Sequence, residues 1–348
     1  MTATPTSGPL TPGKQLGFRR MSDDAGLFKM TAVDQRPPIK GPIAEAHGGE
    51  APWDKVAEVK TALMEALQPT STAMLLDPHY AIPHGWRGFD VRKGLIVTLE
   101  DSLFRETGQG RFSSEIDDWS VGKIKRMGGD AVKVLAWYRP DISEEVRRAQ
   151  EDFVKRTGDL CARHDIPFLF ELLVHPIESD TEQTSEYTEM ATKHADHVLA
   201  SVEAFAGADY GVDVFKLESP VPAKGITAGD GDIQALFDEM GRLAGRPWVM
   251  LSAGAGKADF RSVLEYAYGA GASGYLAGRA IWLDAFGRWP DMDAMRAGLV
   301  EDSVPYMQEL NALTDARATP WHAHEVYGGD GLAFLDPTAD FRHTYGDM

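Results

Sequence analysis

Short apolar runs rich in β-branched and aromatic residues recur along the chain, and segments of helical period separate most of them. The runs cover residues 27–35, 71–80, 94–100, 131–138, 167–175, 212–219, 248–254 and 272–280. Near-continuous apolar character over so few residues predicts strands buried on both faces, as in a parallel sheet covered by helices. Between the runs, Trp53–Leu67 places Val56, Val59, Leu63 and Leu67 on one stripe, and residues 142–164 do the same with Val146, Phe153, Val154 and Leu160. Further helices are predicted over 117–127, 186–205, 232–244, 257–270 and 292–313. Eight strands alternating with helices predict an α/β fold, a closed (β/α)8 TIM barrel, in preference to a doubly wound sheet.

The punctuation fits that reading. Gly128-Gly129, the 241–245 stretch and Gly269-Ala270-Gly271 stand where a helix must stop before the next strand. Residues 178–185, rich in Thr, Glu and Ser, read as a solvated loop after the fifth strand. The first ~25 residues and the tail after Pro320 lack helical or strand period. The expectation is one domain over 1–348, with a barrel core at about 27–315, an N-terminal extension at 1–26 and a C-terminal tail at 321–348.

Composition narrows the function. Of 348 residues, 43% are hydrophobic and 25% charged, which excludes collagen, low-complexity disorder and a disulfide scaffold. The 35 basic and 53 acidic side chains leave a net charge of −18, so nucleic acid and anionic membrane are poor partners, and an anionic substrate needs a local positive pocket. The one cysteine, Cys161, reads as a packing residue in a reducing compartment. Residues 1–14 have no apolar region of the signal-peptide kind, and no run approaches the ~18 apolar residues of a membrane span. A cytoplasmic protein is expected. The long helix after the eighth strand and the tail suit a subunit interface, so a homo-oligomer is expected too.

Barrel enzymes carry their chemistry at the C-terminal ends of the strands. There the first run ends in Asp34-Gln35-Arg36, the second in Asp77 and the third in Glu100-Asp101. The fourth contains Lys133, the fifth Glu171, the sixth Lys216 and Glu218, the seventh Ser252 and the eighth Gly278-Arg279. Lys216 interrupts an apolar strand, Val214-Phe215-Lys216-Leu217, and burying an unpaired ammonium costs several kcal/mol. Such a lysine snorkels to an edge, pairs with a buried carboxylate, or serves as a free amine that attacks a carbonyl. Lys133 is a second lysine of this kind, and with Glu171 the three suit Schiff-base chemistry: one amine forms the iminium and the carboxyl shuttles protons.

The seventh and eighth runs end in Ser252-Ala253-Gly254 and Gly278-Arg279-Ala280. Loops in these positions of a barrel often build a phosphate site from backbone amides and a helix N-terminus, to which Arg279 would add a fork of donors. Gly256-Lys257 is no Walker motif, because Ala258 replaces the Ser or Thr. Histidines 79, 84, 164, 175, 322 and 324 are scattered, and His194 and His197, three apart on a polar helix, make no strong ligand set. No metal and no cofactor are expected.

The ordered segments Val33-Asp34-Gln35-Arg36, Leu75-Leu76-Asp77-Pro78, Asp118-Trp119-Ser120, Gly129-Asp130-Ala131-Val132-Lys133, Asp165-Ile166-Pro167-Phe168, Phe215-Lys216, Leu251-Ser252-Ala253-Gly254, Gly278-Arg279-Ala280 and Thr319-Pro320-Trp321 resemble the class I tagatose-1,6-bisphosphate aldolase family, which includes the sulfofructose-phosphate aldolases. The resemblance implies that Lys216 is the Schiff-base lysine, Glu171 the acid/base carboxyl and Lys133 the second active-site lysine. It implies that Asp34 and Gln35, with Arg36 beside them, meet the substrate hydroxyls, and that Ser252, Gly254, Gly278 and Arg279 hold the phosphate of the dihydroxyacetone phosphate half. Two segments depart from the family pattern. Pro37-Pro38 follows Arg36 in place of Gly and a small polar residue, and Leu99-Glu100-Asp101-Ser102, followed by Arg105 and Arg111, replaces a Tyr-Glu-Lys-Thr-like stretch. Both border the distal half of the sugar.

The expected function is a class I aldolase, a lyase, that reversibly cleaves a ketose 1-phosphate such as tagatose or fructose 1,6-bisphosphate to dihydroxyacetone phosphate and a three-carbon aldehyde. The alternatives are a 6-deoxy-6-sulfofructose-1-phosphate aldolase releasing sulfolactaldehyde, and a non-catalytic sugar-phosphate-binding barrel.

Overall fold

The computed structural model describes residues 10–175, 177, 195–327 and 338–345. Its strands are β1 (Phe28–Ala32), β2 (Ala73–Leu76), β3 (Gly94–Thr98), β4 (Arg105–Thr107), β5 (Gly110–Phe112), β6 (Ala131–Trp137), β7 (Phe168–Leu173), β8 (Val214–Leu217), β9 (Trp248–Met250) and β10 (Gly274–Ala277). Each of the eight predicted runs contains one strand of a closed parallel barrel, ordered β1-β10-β9-β8-β7-β6-β3-β2. β4 and β5 form a separate antiparallel hairpin that the sequence reading did not foresee.

The barrel interior is built in layers, because side chains two apart on a strand share a face. Met30, Leu75, Ile96, Ala131, Leu169, Val214, Val249 and Leu276, one from each barrel strand, form an apolar layer. Two residues further along β6, β7 and β8 stand Lys133, Glu171 and Lys216. Two further again on β6 and β7 stand Leu135 and Leu173, which pack with Trp137, Leu251, Ala253 and Phe104. A charged layer is thus held between two apolar ones.

Helices Trp53–Leu67, Val121–Arg126, Glu144–Arg163, Gly231–Ala244 and Lys257–Gly269 lie where the pattern placed them. Their starts have local causes. Ser120, Ser143 and Asp230 each accept a backbone N–H of the first turn. The segment predicted as one helix over 292–313 is Met292–Gly298 and Val304–Arg317 joined by a π-helical turn at Leu299–Ser303. Of the helix predicted over 186–205, Ala195–Phe205 is described. The remainder, His194, the 178–185 loop and Gly328 to Gly331 lie outside the described residues. Among the described residues no helix is long and apolar enough to cross a membrane.

One helix corrects the sequence reading and a second adds to it. Pro12–Met21 lies in the stretch taken to lack period; its buried positions are Gln15, Gly17, Phe18 and Met21, so no apolar stripe marks it. It closes the N-terminal end of the barrel together with the tail: the Phe18 ring lies 4.8 Å from Trp321 and 5.5 Å from Tyr327. Gly17 lets the helix lie close against the strand ends, since a Cβ there would stand 2.4 Å from the Asp130 carbonyl oxygen. The second helix, Pro37–Ala46, begins with Pro37 and Pro38 in its first two positions. Proline suits that place, because its fixed φ is helical and the missing N–H has no partner within the helix.

Candidate active site

The charged layer is one connected cluster. Glu171 and Lys216 are register partners across β7 and β8, so their side chains project to the same side. Lys216 Nζ donates to Glu171 Oε2 at 2.9 Å, and Lys133 Nζ reaches the same oxygen at 2.8 Å. Lys133 also donates to Asp34 Oδ2 at 3.0 Å and to Glu100 Oε1 at 2.5 Å. Thr98 donates its hydroxyl to the other Glu100 oxygen at 2.7 Å. Every member is buried.

Burial alone would drive each of these groups toward its neutral form, and mutual charge opposes it. For Lys133 burial is outweighed by Asp34, Glu100 and Glu171, which hold its ammonium well above the ordinary lysine range. Lys133 is therefore no bare cation beside Lys216; three carboxylates match it. For Asp34 burial is outweighed by Lys133 and Lys216, and its pKa falls to about 2. Glu171 is likewise lowered, burial giving way to the two lysines. Glu100 goes the other way: burial dominates and raises it.

The cluster forms one side of a cavity of about 370 Å³ at the C-terminal ends of the strands. Asp34, Gln35, Arg36, Lys133, Glu171, Lys216, Ser252, Gly278 and Arg279 all line it. Four buried polar atoms on β1's C-terminal loop have no hydrogen-bond partner: Asp34 Oδ1, Gln35 Oε1, Arg36 Nε and Arg36 Nη1. Leaving such atoms unsatisfied costs about 1–3 kcal/mol each. Together they offer acceptors and donors suited to the hydroxyls of a polyol. The third guanidinium nitrogen of Arg36 is used internally, Nη2 donating to the Glu100 carbonyl at 3.1 Å.

On the opposite rim, Gly254 sits at φ +85°, and a Cβ there would meet the Arg279 guanidinium carbon at 3.3 Å. Gly254 does not line the cavity itself; its bare backbone gives Arg279 room. Ala253 before it holds φ 48°, a strained left-handed conformation for a residue with a Cβ. Gly278 is the N-cap of the helix Arg279–Phe286 and packs against Gln35, whose Nε2 would lie 2.8 Å from a Cβ. The first turn of that helix has amides that the helix does not use, and its dipole favours an anion.

The hairpin β4–β5 carries Arg111, which the sequence reading set beside the distal half of the sugar, and the loop before it brings in Phe104, which that reading did not assign. Phe104 packs edge-on against Trp137 with ring centroids 5.4 Å apart. The buried Arg111 lies against both rings, 4.6 Å from Phe104 and 4.5 Å from Trp137, and donates from Nε to Glu106 at 3.0 Å. Glu100 was also missed as a member of the cluster; its one signal was its place as the polar break at the end of the third run. Asp77, another such break, is structural. It pairs with Lys60 at 2.6 Å in a fully buried ion pair and accepts the N–H groups of His79 and Tyr80. Glu218 accepts the Val174 N–H and does not line the cavity. Cys161 is buried in the core and its thiol pKa is pushed up. Among the described residues no three His, Cys, Asp or Glu side chains are placed to hold a metal ion.

Comparison with known proteins agrees with this architecture. Residues 28–284 match the model of the DeoC/LacD family aldolases. The chain is 33% identical over 325 residues to the tagatose 1,6-diphosphate aldolase of Listeria innocua, covering 90% of this chain and 94% of that protein. It is 32% identical over 324 residues to tagatose 1,6-diphosphate aldolase 1 of Streptococcus mutans, covering 90% and 98%. Among solved structures it resembles a Schiff-base-forming fructose-1,6-bisphosphate aldolase in fold, with a TM-score of 0.56 and 16% identity over 86% of this chain and 99% of that one. With a family match over most of its length and relatives at this identity, the chain belongs to the DeoC/LacD family of aldolases and is a lyase.

Proposed function

We propose that Lys216 is the Schiff-base lysine of an aldolase that reversibly cleaves a ketose 1-phosphate to dihydroxyacetone phosphate and a three-carbon aldehyde. The relatives' names make tagatose and fructose 1,6-bisphosphates the first ketoses to try. The observation that carries the reading is the one carboxylate oxygen, Glu171 Oε2, 2.9 Å from Lys216 Nζ inside an apolar barrel. Proton transfer across that contact converts an ammonium and a carboxylate into the neutral amine and protonated acid that imine formation needs.

In this reading the Lys216 amine adds to the C2 ketone, and Glu171 returns its proton to the C2 hydroxyl, which leaves as water. The iminium then accepts the electron pair of the C3–C4 bond as it breaks, while a base takes the proton of the C4 hydroxyl. Glu171, ionised again after the first step, is the first candidate for that base and Asp34 the second. The enamine is protonated at C3, and water releases dihydroxyacetone phosphate and frees the amine. Lys133 holds the carboxylates in place and offers positive charge to a substrate oxygen. Gln35 and Arg36 meet the substrate with their unpartnered atoms. Ser252, Gly278 and Arg279 form the phosphate site, and Gly254 gives Arg279 its room. The chemistry takes no metal and no cofactor.

We also propose that the enzyme works as a cytoplasmic homo-oligomer; Trp53 and Trp86, nearly half exposed, offer apolar surface for contact, and light scattering reads the oligomeric state. The catalytic reading is tested by borohydride reduction with dihydroxyacetone phosphate, with and without chelator, followed by mass spectrometry. A reduced adduct on Lys216 in both samples is expected. No adduct in a sample that binds the ligand overturns the assignment.

A further inference from the structure

Ala32 and Val33 directly precede Asp34, and each has its main-chain carbonyl bound by a buried side chain. Trp282 donates from its indole Nε1 to the Ala32 oxygen at 3.0 Å, and Lys60 donates from Nζ to the Val33 oxygen at 2.6 Å. Both side chains are fully buried, and neither lines the cavity. They reach β1 from its two flanks. Trp282 belongs to the helix Arg279–Phe286 that follows β10, Lys60 to the helix Trp53–Leu67 that precedes β2, and β10 and β2 are the neighbours of β1 in the barrel.

Core stability does not account for the lysine. Apolar residues in place of a buried ion pair such as Lys60–Asp77 often leave a protein as stable or more so. What an apolar pair cannot supply is a tether. Lys60 Nζ bonds Asp77 Oδ2 at 2.6 Å as well as the Val33 carbonyl, and the other Asp77 oxygen accepts the N–H groups of His79 and Tyr80. The turn after β2 is thereby fastened to the peptide that carries Asp34.

On the other flank the tether leads to the proposed phosphate site. Trp282 stands less than one turn after Arg279, so one helix carries both the guanidinium fork and the bond to β1. Gly278, the N-cap of that helix, packs against the same place: a Cβ there would lie 2.8 Å from the Ala32 oxygen and 2.8 Å from Gln35 Nε2. The spacing between the phosphate helix and residues 34–36 is therefore set by buried side-chain hydrogen bonds and one glycine contact. Asp34 in turn accepts from Lys133 at 3.0 Å, so a displaced loop would also disturb the charged layer.

Resting on the aldolase reading above, we propose that Trp282 and Lys60 are positioning residues for the cleavage step: they fix the 34–36 loop relative to the phosphate helix, so that a ketose held by its 1-phosphate meets Asp34 and Gln35 with its hydroxyls while its C2 stands at Lys216. They act through the Ala32 and Val33 carbonyls and touch no substrate atom. A misplacement of about 1 Å in such a constellation costs on the order of 10²-fold in rate.

The test uses two variants that loosen opposite flanks. Trp282→Phe keeps an aromatic ring in the core and deletes the N–H. Lys60→Met combined with Asp77→Asn removes the other tether and strands no buried charge. For each, kcat is measured at saturating tagatose or fructose 1,6-bisphosphate, whichever the wild type cleaves, and the Ki of inorganic phosphate competing with the ketose reports on the phosphate site by itself. Each variant, assayed well below its own melting temperature, is expected to lose about tenfold or more in kcat while that Ki stays within twofold of wild type. A purely structural role would lower the melting temperature and leave kcat unchanged. An unchanged kcat in either folded variant overturns the role of its side chain, and a Ki that rises in step with the fall in kcat overturns the positioning reading in favour of support for phosphate binding. Borohydride trapping of dihydroxyacetone phosphate on wild-type Lys216 is run beside them, and its absence is the separate failure of the aldolase reading.

Discussion

Lys133 and Lys216, from strands that flank β7, converge on one oxygen, Glu171 Oε2, at 2.8 and 2.9 Å. Two ammonium groups on one carboxylate oxygen repel each other, and the repulsion is relieved when one of them gives up its proton. Lys133 has Asp34 and Glu100 as further partners, whereas Lys216, among the described residues, donates to Glu171. The geometry therefore sets Lys216 against Glu171, the carboxyl proposed to exchange protons with it.

Glu171→Gln keeps the shape of this contact and removes the proton shuttle. Its kcat is expected to fall by about 10²–10⁴-fold, the usual contribution of a positioned acid/base group. Release of dihydroxyacetone phosphate from a ketose 1-phosphate measures it. An unchanged kcat would remove Glu171 from the proton transfers.

Asp34 makes stability depend on acid pH. Its folded pKa of about 2 lies below the ordinary 3.8, so its contribution is fully present above about pH 4 and is lost as pH falls toward 2. The amount is on the order of 2 kcal/mol. Glu100, raised by burial, has the opposite sign: the stability linked to it is present at acid pH and is lost as pH rises through its folded pKa. Urea unfolding from pH 2 to 6 is expected to show a flatter acid limb for Asp34→Asn than for the wild type. Equal slopes would sink the assignment.

The Lys60–Asp77 pair is fully buried and also ties the Val33 carbonyl, directly before Asp34, through Lys60 Nζ at 2.6 Å. Lys60→Met strands the Asp77 carboxylate and is expected to cost about 3–5 kcal/mol in denaturant unfolding. Adding Asp77→Asn to that variant should recover part of the loss. Additive losses would show that the two side chains act independently.

Arg279→Ala removes the proposed phosphate fork. A charge-assisted hydrogen bond contributes about 1.5–3 kcal/mol, so the Kd for dihydroxyacetone phosphate, read by calorimetry, should rise roughly 10- to 150-fold. Inorganic phosphate should weaken in parallel. A Kd within twofold of wild type would place the phosphate elsewhere.

The barrel was legible because its strands are buried on both faces, so their apolar runs stand out from amphipathic neighbours. Lys133, Glu171 and Lys216 were legible for the same reason, as charges inside such runs. Pro12–Met21 was hidden by Gln15 and Gly17 at buried positions, and Pro37–Ala46 by prolines that usually mark a break. The part played by Glu100 was hidden because a carboxylate at a strand end has the same sequence signature whether it caps a loop, as Asp77 does, or joins a charged cluster. The hairpin escaped because three-residue strands carry too little alternation to register.

The packing of Phe18 against Trp321 and Tyr327, with Phe28 of β1 paired to Gly274 of β10, sets the order in which the molecule can be finished. During synthesis the early strands emerge with one edge open and the space beneath them unfilled. Neither is satisfied until residues some 250–300 positions later have left the ribosome, so the last native contacts form only when the chain is nearly complete. A ribosome stalled before Trp321 therefore holds a chain with an uncovered barrel floor, which is the state most exposed to proteases and chaperones.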